Sequence, residues 1–186
     1  MKEAALARAG LLVLAPEGVE VRQAIVFQFN PDTLTRQIGS APGAAPGEAA
    51  AVVETLRLEA HFDAHAMAAE VPTTAGVAPW LAALEALVLP EPDGPVQRPL
   101  VLFTWGRQRV QPVRVLALDI VEQAFDRALN PLRAQVALHL RALAAHELDA
   151  GSRGAKLLAV HARTRAALAA QVGPQGLEAL GLAALP

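Results

Sequence analysis

The chain has 186 residues, enough for one domain of ordinary size with a real core, and 53% of them are apolar. Much of that fraction is alanine, and with five Phe, two Trp and no Tyr the core has to come from Leu, Val, Ile and those few aromatics. A net charge of −2, with the arginines scattered, argues against nucleic-acid binding, and the absence of cysteine removes disulfides, thiolate metal sites and cysteine nucleophiles. The start, MKEAALARAGLLVLAPEG, has only a short apolar run and carries Glu3 and Arg8, so it does not read as a signal peptide. No stretch reaches the roughly 18 apolar residues of a membrane span. The expectation is a cytoplasmic protein without membrane insertion.

In chain order, Val21 to Phe29 is rich in Val, Ile and Phe and predicts a strand that stops at Asn30-Pro31-Asp32. GSAPGAAPGEAAA (39–51) has no periodicity and reads as a flexible loop. In VVETLRLEAHFDA (52–64), Leu56, Leu58, Ala60 and Phe62 alternate with Arg57, Glu59, His61 and Asp63, the pattern of a half-buried antiparallel strand. The period then changes. Trp80, Leu81, Leu84, Leu87 and Val88 fall on one helical face, Pro79 is tolerated in the first turn, and Pro90 and Pro92 end a helix expected over about 77–89.

RPLVLFTWG (98–106) predicts a further strand, with Trp105-Gly106 ending it at a turn or a close backbone approach. Residues 110–125 and 132–143 predict one long hairpin. Its first arm reads as apolar on both faces, Leu116, Leu118 and Ile120 against Val113, Val115 and Val121, so its second face should also be covered. After DAGSRG the segment AKLLAVHARTRAALAAQV predicts a helix whose stripe of Leu157, Val160, Leu168 and Val172 is narrow, a tail that docks on something else. A weak last helix is expected at 175–183. The chain therefore divides into 1–150, a mainly β domain, and 151–186, a helical extension.

Chemistry is sparse. His61, Asp63 and His65 stand at i, i+2 and i+4, and on a strand they would project from one face as two imidazoles and a carboxylate. The same residues also read as the polar outer face that Arg57 and Glu59 begin, and that reading is preferred; a metal-dependent enzyme or binding module is the lesser alternative. His146 in HELDA lacks the second histidine of a zincin helix, and no phosphate loop or nucleophile elbow occurs. Asp119 and Glu122 point to opposite faces of a strand, which disfavours acid–base cooperation. No catalytic, cofactor or metal residue is assigned.

Four segments in this order are more specific than any one of them: FQFNPDTL (27–34), LRLEAHFDA (56–64), PLVLFTWG (99–106) and ALDIVEQAFDRALNPLRAQVALHL (117–140). Together they resemble the tube-type domain of contractile injection systems, the phage-tail-like particles of bacteria. More specifically, they resemble baseplate adaptors that carry F-x-F-N-P, a strand ending in F-D, P-x-x-x-F-x-W-G and a hairpin closing on G-x-P-x-R-A. The glycine usual before that corner is Asn130 here, which tolerates a left-handed turn. Many such adaptors end in a LysM module, and this chain shows none.

The resemblance implies an α+β fold, mainly antiparallel β, built as a small tail-tube-like barrel or sandwich with one packed helix. It also implies a structural, non-enzymatic subunit at the tube–baseplate junction, self-associating in a ring that is hexameric in the family and meeting inner tube, spike and baseplate wedge proteins. A tail component of an ordinary contractile phage or prophage is the alternative. Phe29, Asn30, Pro31, Trp105, Gly106, Asn130, Pro131 and Arg133 are then the turn and assembly candidates. Arg57, Glu59, His61, Arg114, Arg141, Arg163 and Arg165 are the interface candidates. In this view Asn30 and Asp32 cap a turn with their side chains, and Pro31 fixes the backbone where a strand leaves the sheet.

Overall fold

A computed structural model describes residues 6–15, 20–40, 52–67, 74–89 and 99–172. The fold is α+β and mainly antiparallel, as expected. Seven strands, β1 (Gly10–Leu14), β2 (Val21–Val26), β3 (Leu34–Ser40), β4 (Val52–Asp63), β5 (Val101–Trp105), β6 (Arg109–Phe125) and β7 (Pro131–Ala142), form one sheet in the order β2-β1-β5-β6-β7-β4-β3. The helices are a single turn, α1 (Ala64–Met67), then α2 (Ala78–Glu85) and α3 (Arg153–Ala169). The expected barrel does not close: among the described residues the outermost strands, β2 and β3, are not paired with each other.

The sheet nevertheless curls. β2 ends at Val26 and β3 begins at Leu34, on opposite edges of the sheet. Seven flat strands would set those edges about 29 Å apart, roughly the full stretch of the connecting segment. That segment is bent, and Gln28 in it hydrogen-bonds Asp63 on β4, so the sheet bends around its core to bring the edges together.

Register places Leu11 and Val13, Val101 and Phe103, Val113 and Val115, Val136, Leu138 and Leu140, and Leu56, Leu58, Ala60 and Phe62 on one face. Leu81, Leu84 and Leu87 of α2 and its following turn complete this core. α2 is anchored where β7 begins, by a hydrogen bond from the Val77 amide to the Pro131 carbonyl. Gly76 makes that approach possible: it has φ +59, and a Cβ there would lie 2.1 Å from the Pro131 oxygen.

Two strands went unread in the sequence. β1 is the short apolar run after Gly10, and β3 is exposed along almost its whole length because it is an edge strand paired on one side only. Gly39 and Ser40, read as loop, close β3, while 41–51 and the helix expected at 175–183 lie outside the described residues. α3 buries Gly154 and His161; of the anticipated stripe Leu157 is half-buried, while Val160, Leu168 and Val172 are exposed. A small residue at 154 lets the helix meet Leu100 and Leu148.

The long hairpin also departs from strict alternation. Val115 pairs with Leu140 and Ala117 with His139, so a bulge at Leu116 inserts one residue. Val113 and Val115 therefore share the core face with Leu118 and Ile120, instead of opposing them, and Leu116 is left exposed. The tip is a type I turn closed by the Leu129 amide on the Asp126 carbonyl, followed by a left-handed residue. That residue is Leu129, φ 63, and not Asn130. The G-x-P-x-R-A pattern in fact places its glycine two residues before the proline. Asn130 instead ties the loop together, donating through its backbone amide and its side-chain Nδ2 to the Asp126 carboxylate at 2.8 Å each.

A leucine in this region carries a steric penalty of about 1 kcal/mol or more, and Leu129 is 77% exposed, so burial returns little of it. Leu129→Gly is expected to stabilise the isolated chain by about 0.5–1 kcal/mol, a rise in Tm of about 2–4 °C. Differential scanning calorimetry checks this.

Candidate functional site

The FQFNP segment works as a strap between distant parts of the chain. The Phe27 amide bonds the Ala9 carbonyl. The Asn30 side chain then takes the place of a strand: its Oδ1 accepts from the Ala9 amide and its Nδ2 donates to the Ala7 carbonyl, both at 2.9 Å. Gln28 does the same to β4, accepting from the Asp63 amide at 2.8 Å and donating to its carbonyl at 3.3 Å. Primary amides pair with extended backbone because they present one donor and one acceptor side by side. Asn30 thus bonds residues more than twenty positions upstream, in place of the local turn cap expected of it. Pro31 is buried beside it and Phe29 is half exposed.

Phe29 to Thr33 wall an open groove of about 890 Å³ on the sheet face opposite the core. Its floor is the outer side of β4 and β7, including Arg57, Glu59, His61, Arg133 and His139. The His61, Asp63 and His65 set, the lesser alternative in the sequence, does not converge there. His65 lies on α1, Asp63 is held by Arg133 at 2.9 Å, and His61 pairs with Glu59 at 2.9 Å. Among the described residues no group of three or more His, Cys, Asp or Glu is placed to hold a metal ion. Burial pushes the Asp63 carboxyl upward, but hydrogen bonds from the His65 amide and the Arg133 guanidinium outweigh it and hold the group below its ordinary value. Asp119 reaches His139 across the strands at 3.3 Å. The groove is lined by charges that largely pair with each other, so it offers a polar contact surface.

Trp105 is half-buried at the end of β5, its ring 6.0 Å from that of Phe103. Gly106 has φ +65 with nothing within 4 Å of a Cβ, so it serves a turn and not a close approach.

Arg114 and Arg141 stand opposite each other on β6 and β7. Arg141 grips Glu147 with two hydrogen bonds, 2.7 and 2.6 Å, and the Arg114 guanidinium adds its charge nearby. The Arg141 hydrogen bonds hold the Glu147 carboxyl at about 2; burial opposes them and the Ala144 amide assists. A carboxyl depressed when folded stabilises fully above its unfolded value, 4.5, and loses that contribution as pH falls through about 2. Glu147→Gln should therefore cost about 1–2 kcal/mol at pH 7. The difference from the parent chain should shrink below pH 4.5 and vanish near pH 2, as urea midpoints across pH will show.

A third cluster was not anticipated. Glu54 has the same parity as Leu56 and Leu58 and is buried; its Oε1 takes Arg36 at 2.7 Å, and Arg165 of α3 lies 3.8 Å from Oε2. His161, 6% exposed, sits in the same cluster with Arg109. A charged residue at a core-facing position was the available signal. Arg163 is exposed on α3.

Exposed apolar side chains run up the hairpin beyond the core: Leu116, Val121, Phe125 and Leu129, between 47% and 77% exposed, with Phe29 at 51% beside the groove. No helix among the described residues is long and apolar enough to cross a membrane.

No protein-family model matches the chain, and no curated protein matches it. Among solved structures it is similar to a chain from the tail of an empty GTA (gene transfer agent) particle refined with C6 symmetry, at 11% identity and a TM-score of 0.34, over 73% of this chain and 91% of that one.

Proposed function

We propose that the chain is a structural subunit of a phage-tail-like particle, at the junction of inner tube and baseplate in a contractile injection system, where it forms part of a ring. The observation that carries this reading is the hairpin β6–β7. It projects Leu116, Val121, Phe125 and Leu129 into solvent and keeps a leucine in a left-handed conformation at its tip. A monomer gains nothing from such a surface, whereas a subunit buries it against a neighbour. The open sheet edges β2 and β3 and the paired-charge groove supply further contact area, and the four motifs that resemble baseplate adaptors support the same role.

In this role the groove and hairpin recognise proteins, and no residue turns over a substrate. Inner tube, spike and wedge proteins are the partners that the family resemblance supplies. Deleting the chain from its native host tests the reading. Cells without it should yield no assembled sheathed rods in electron micrographs, and re-expression should restore them. Normal rods in the deletion strain would refute it.

A further inference from the structure

The cluster around Glu54 holds more positive charge than its own chain neutralises. Arg36, Arg109 and Arg165 face a single carboxylate, and among the described residues Arg109 makes no ion pair. Burial lowers the Arg109 pKa and the Arg36 charge lowers it further, with only Glu54 opposing. Beside them His161 is buried with neither ring nitrogen hydrogen-bonded among the described residues. Burial holds that imidazole toward its neutral form; Glu54 opposes this, and Arg165, Arg109 and Arg36 reinforce it. A site so composed keeps an excess of positive charge.

The chain carries a matching group at its opposite end. Glu122 is exposed near the end of β6 and makes no ion pair among the described residues, and Val121 and Phe125 beside it are half exposed. Arg109 is the first residue of the same strand. Extended chain separates the two by about 43 Å, so they cannot meet within one molecule.

We infer that the Arg36–Arg109–Arg165 cluster receives the Glu122 end of the hairpin of a second copy of this chain. The inference rests on the structural-subunit reading and adds the contact through which copies join. One copy gives its hairpin and the next gives its α3 end, so the interface is heterologous. Repeated, it builds a ring where the rotation closes and a filament where it does not.

Charge exchange tests it in the full chain. Glu122→Arg and Arg165→Glu each alter exposed side chains, and Arg109→Gln is a milder third variant; circular dichroism confirms that each folds. In sedimentation equilibrium each single variant is expected to weaken self-association by about tenfold or more, and the Glu122→Arg/Arg165→Glu double variant to recover most of it. Single variants that associate like the parent chain, a double variant no better than the singles, or a parent chain that stays monomeric would each overturn the contact. The same variants scored for incorporation into particles separate the two claims. A parent chain absent from particles refutes the subunit role, whereas variants that enter particles as well as the parent refute only this contact.

Discussion

Replacing Val121 and Phe125 together by Asp is expected to leave the isolated chain folded and to exclude it from assembled particles. Both side chains are about half exposed, 52% and 50%, and stand on the distal part of β6, where core packing has thinned. Surface changes of this kind shift stability by about 0.5 kcal/mol per site. In an assembled interface the same carboxylates would be stripped of water against apolar neighbours, at a cost of several kcal/mol. Incorporation should therefore fall by about a hundredfold or more while the melting temperature barely moves. Quantitative immunoblotting of sedimented particles, paired with a thermal melt of the purified variant, reads both halves. Parent-level incorporation would show that the hairpin surface is not buried in the particle.

Gly76→Ala should have the largest effect on folding, a loss of about 3–4 kcal/mol. The residue has φ +59, and the added Cβ would lie 2.1 Å from the Pro131 carbonyl oxygen and 2.9 Å from its carbon, both rigid backbone. Relief requires α2 to move off the start of β7, which breaks the 2.8 Å hydrogen bond from Val77 and uncovers Leu81 and Leu84. Gly106→Ala is the control, since its φ is also positive, +65, but nothing lies within 4 Å of its Cβ. It should cost only the left-handed penalty of about 1 kcal/mol. Urea denaturation of the two variants separates crowding from backbone strain. Equal losses would show that the approach of Gly76 to Pro131 does not hold α2 in place.

Alternation and helical period carried most of the sheet. β4 keeps its apolar parity from Leu56 to Phe62 and β7 from Ala134 to Leu140, and Leu81, Leu84 and Leu87 lie in the core as their spacing implies, because one face of each element is buried and the other is not. The rule fails where that condition fails. β3 has no buried face to write a pattern, and β1 is only five residues long. In β6 the bulge at Leu116 moves Val113 and Val115 to the face that a strict period of two denies them.

The site was less legible for a related reason. Asn30 and Gln28 do their work by bonding backbone 21 to 35 residues away, and no local spacing encodes such a partner. Phe29, Asn30 and Pro31 stood out as a group, but a turn was the nearest local explanation for them. The His61, Asp63 and His65 pattern, secondary to the polar-face reading, is broken because β4 ends at Asp63, which puts His65 on α1. Glu54 was visible as a charge at core parity with Leu56, yet its partners come from β3 and α3, whose packing only the fold discloses.

The most direct test of the structural role is to sediment large particles from the native host carrying a tagged copy of this chain and to examine them by electron microscopy with a tag-directed gold label. The account predicts that the chain co-sediments with sheathed rods and that the label marks one end of each rod. A chain that stays in the supernatant as a monomer while unlabelled rods form normally would contradict it.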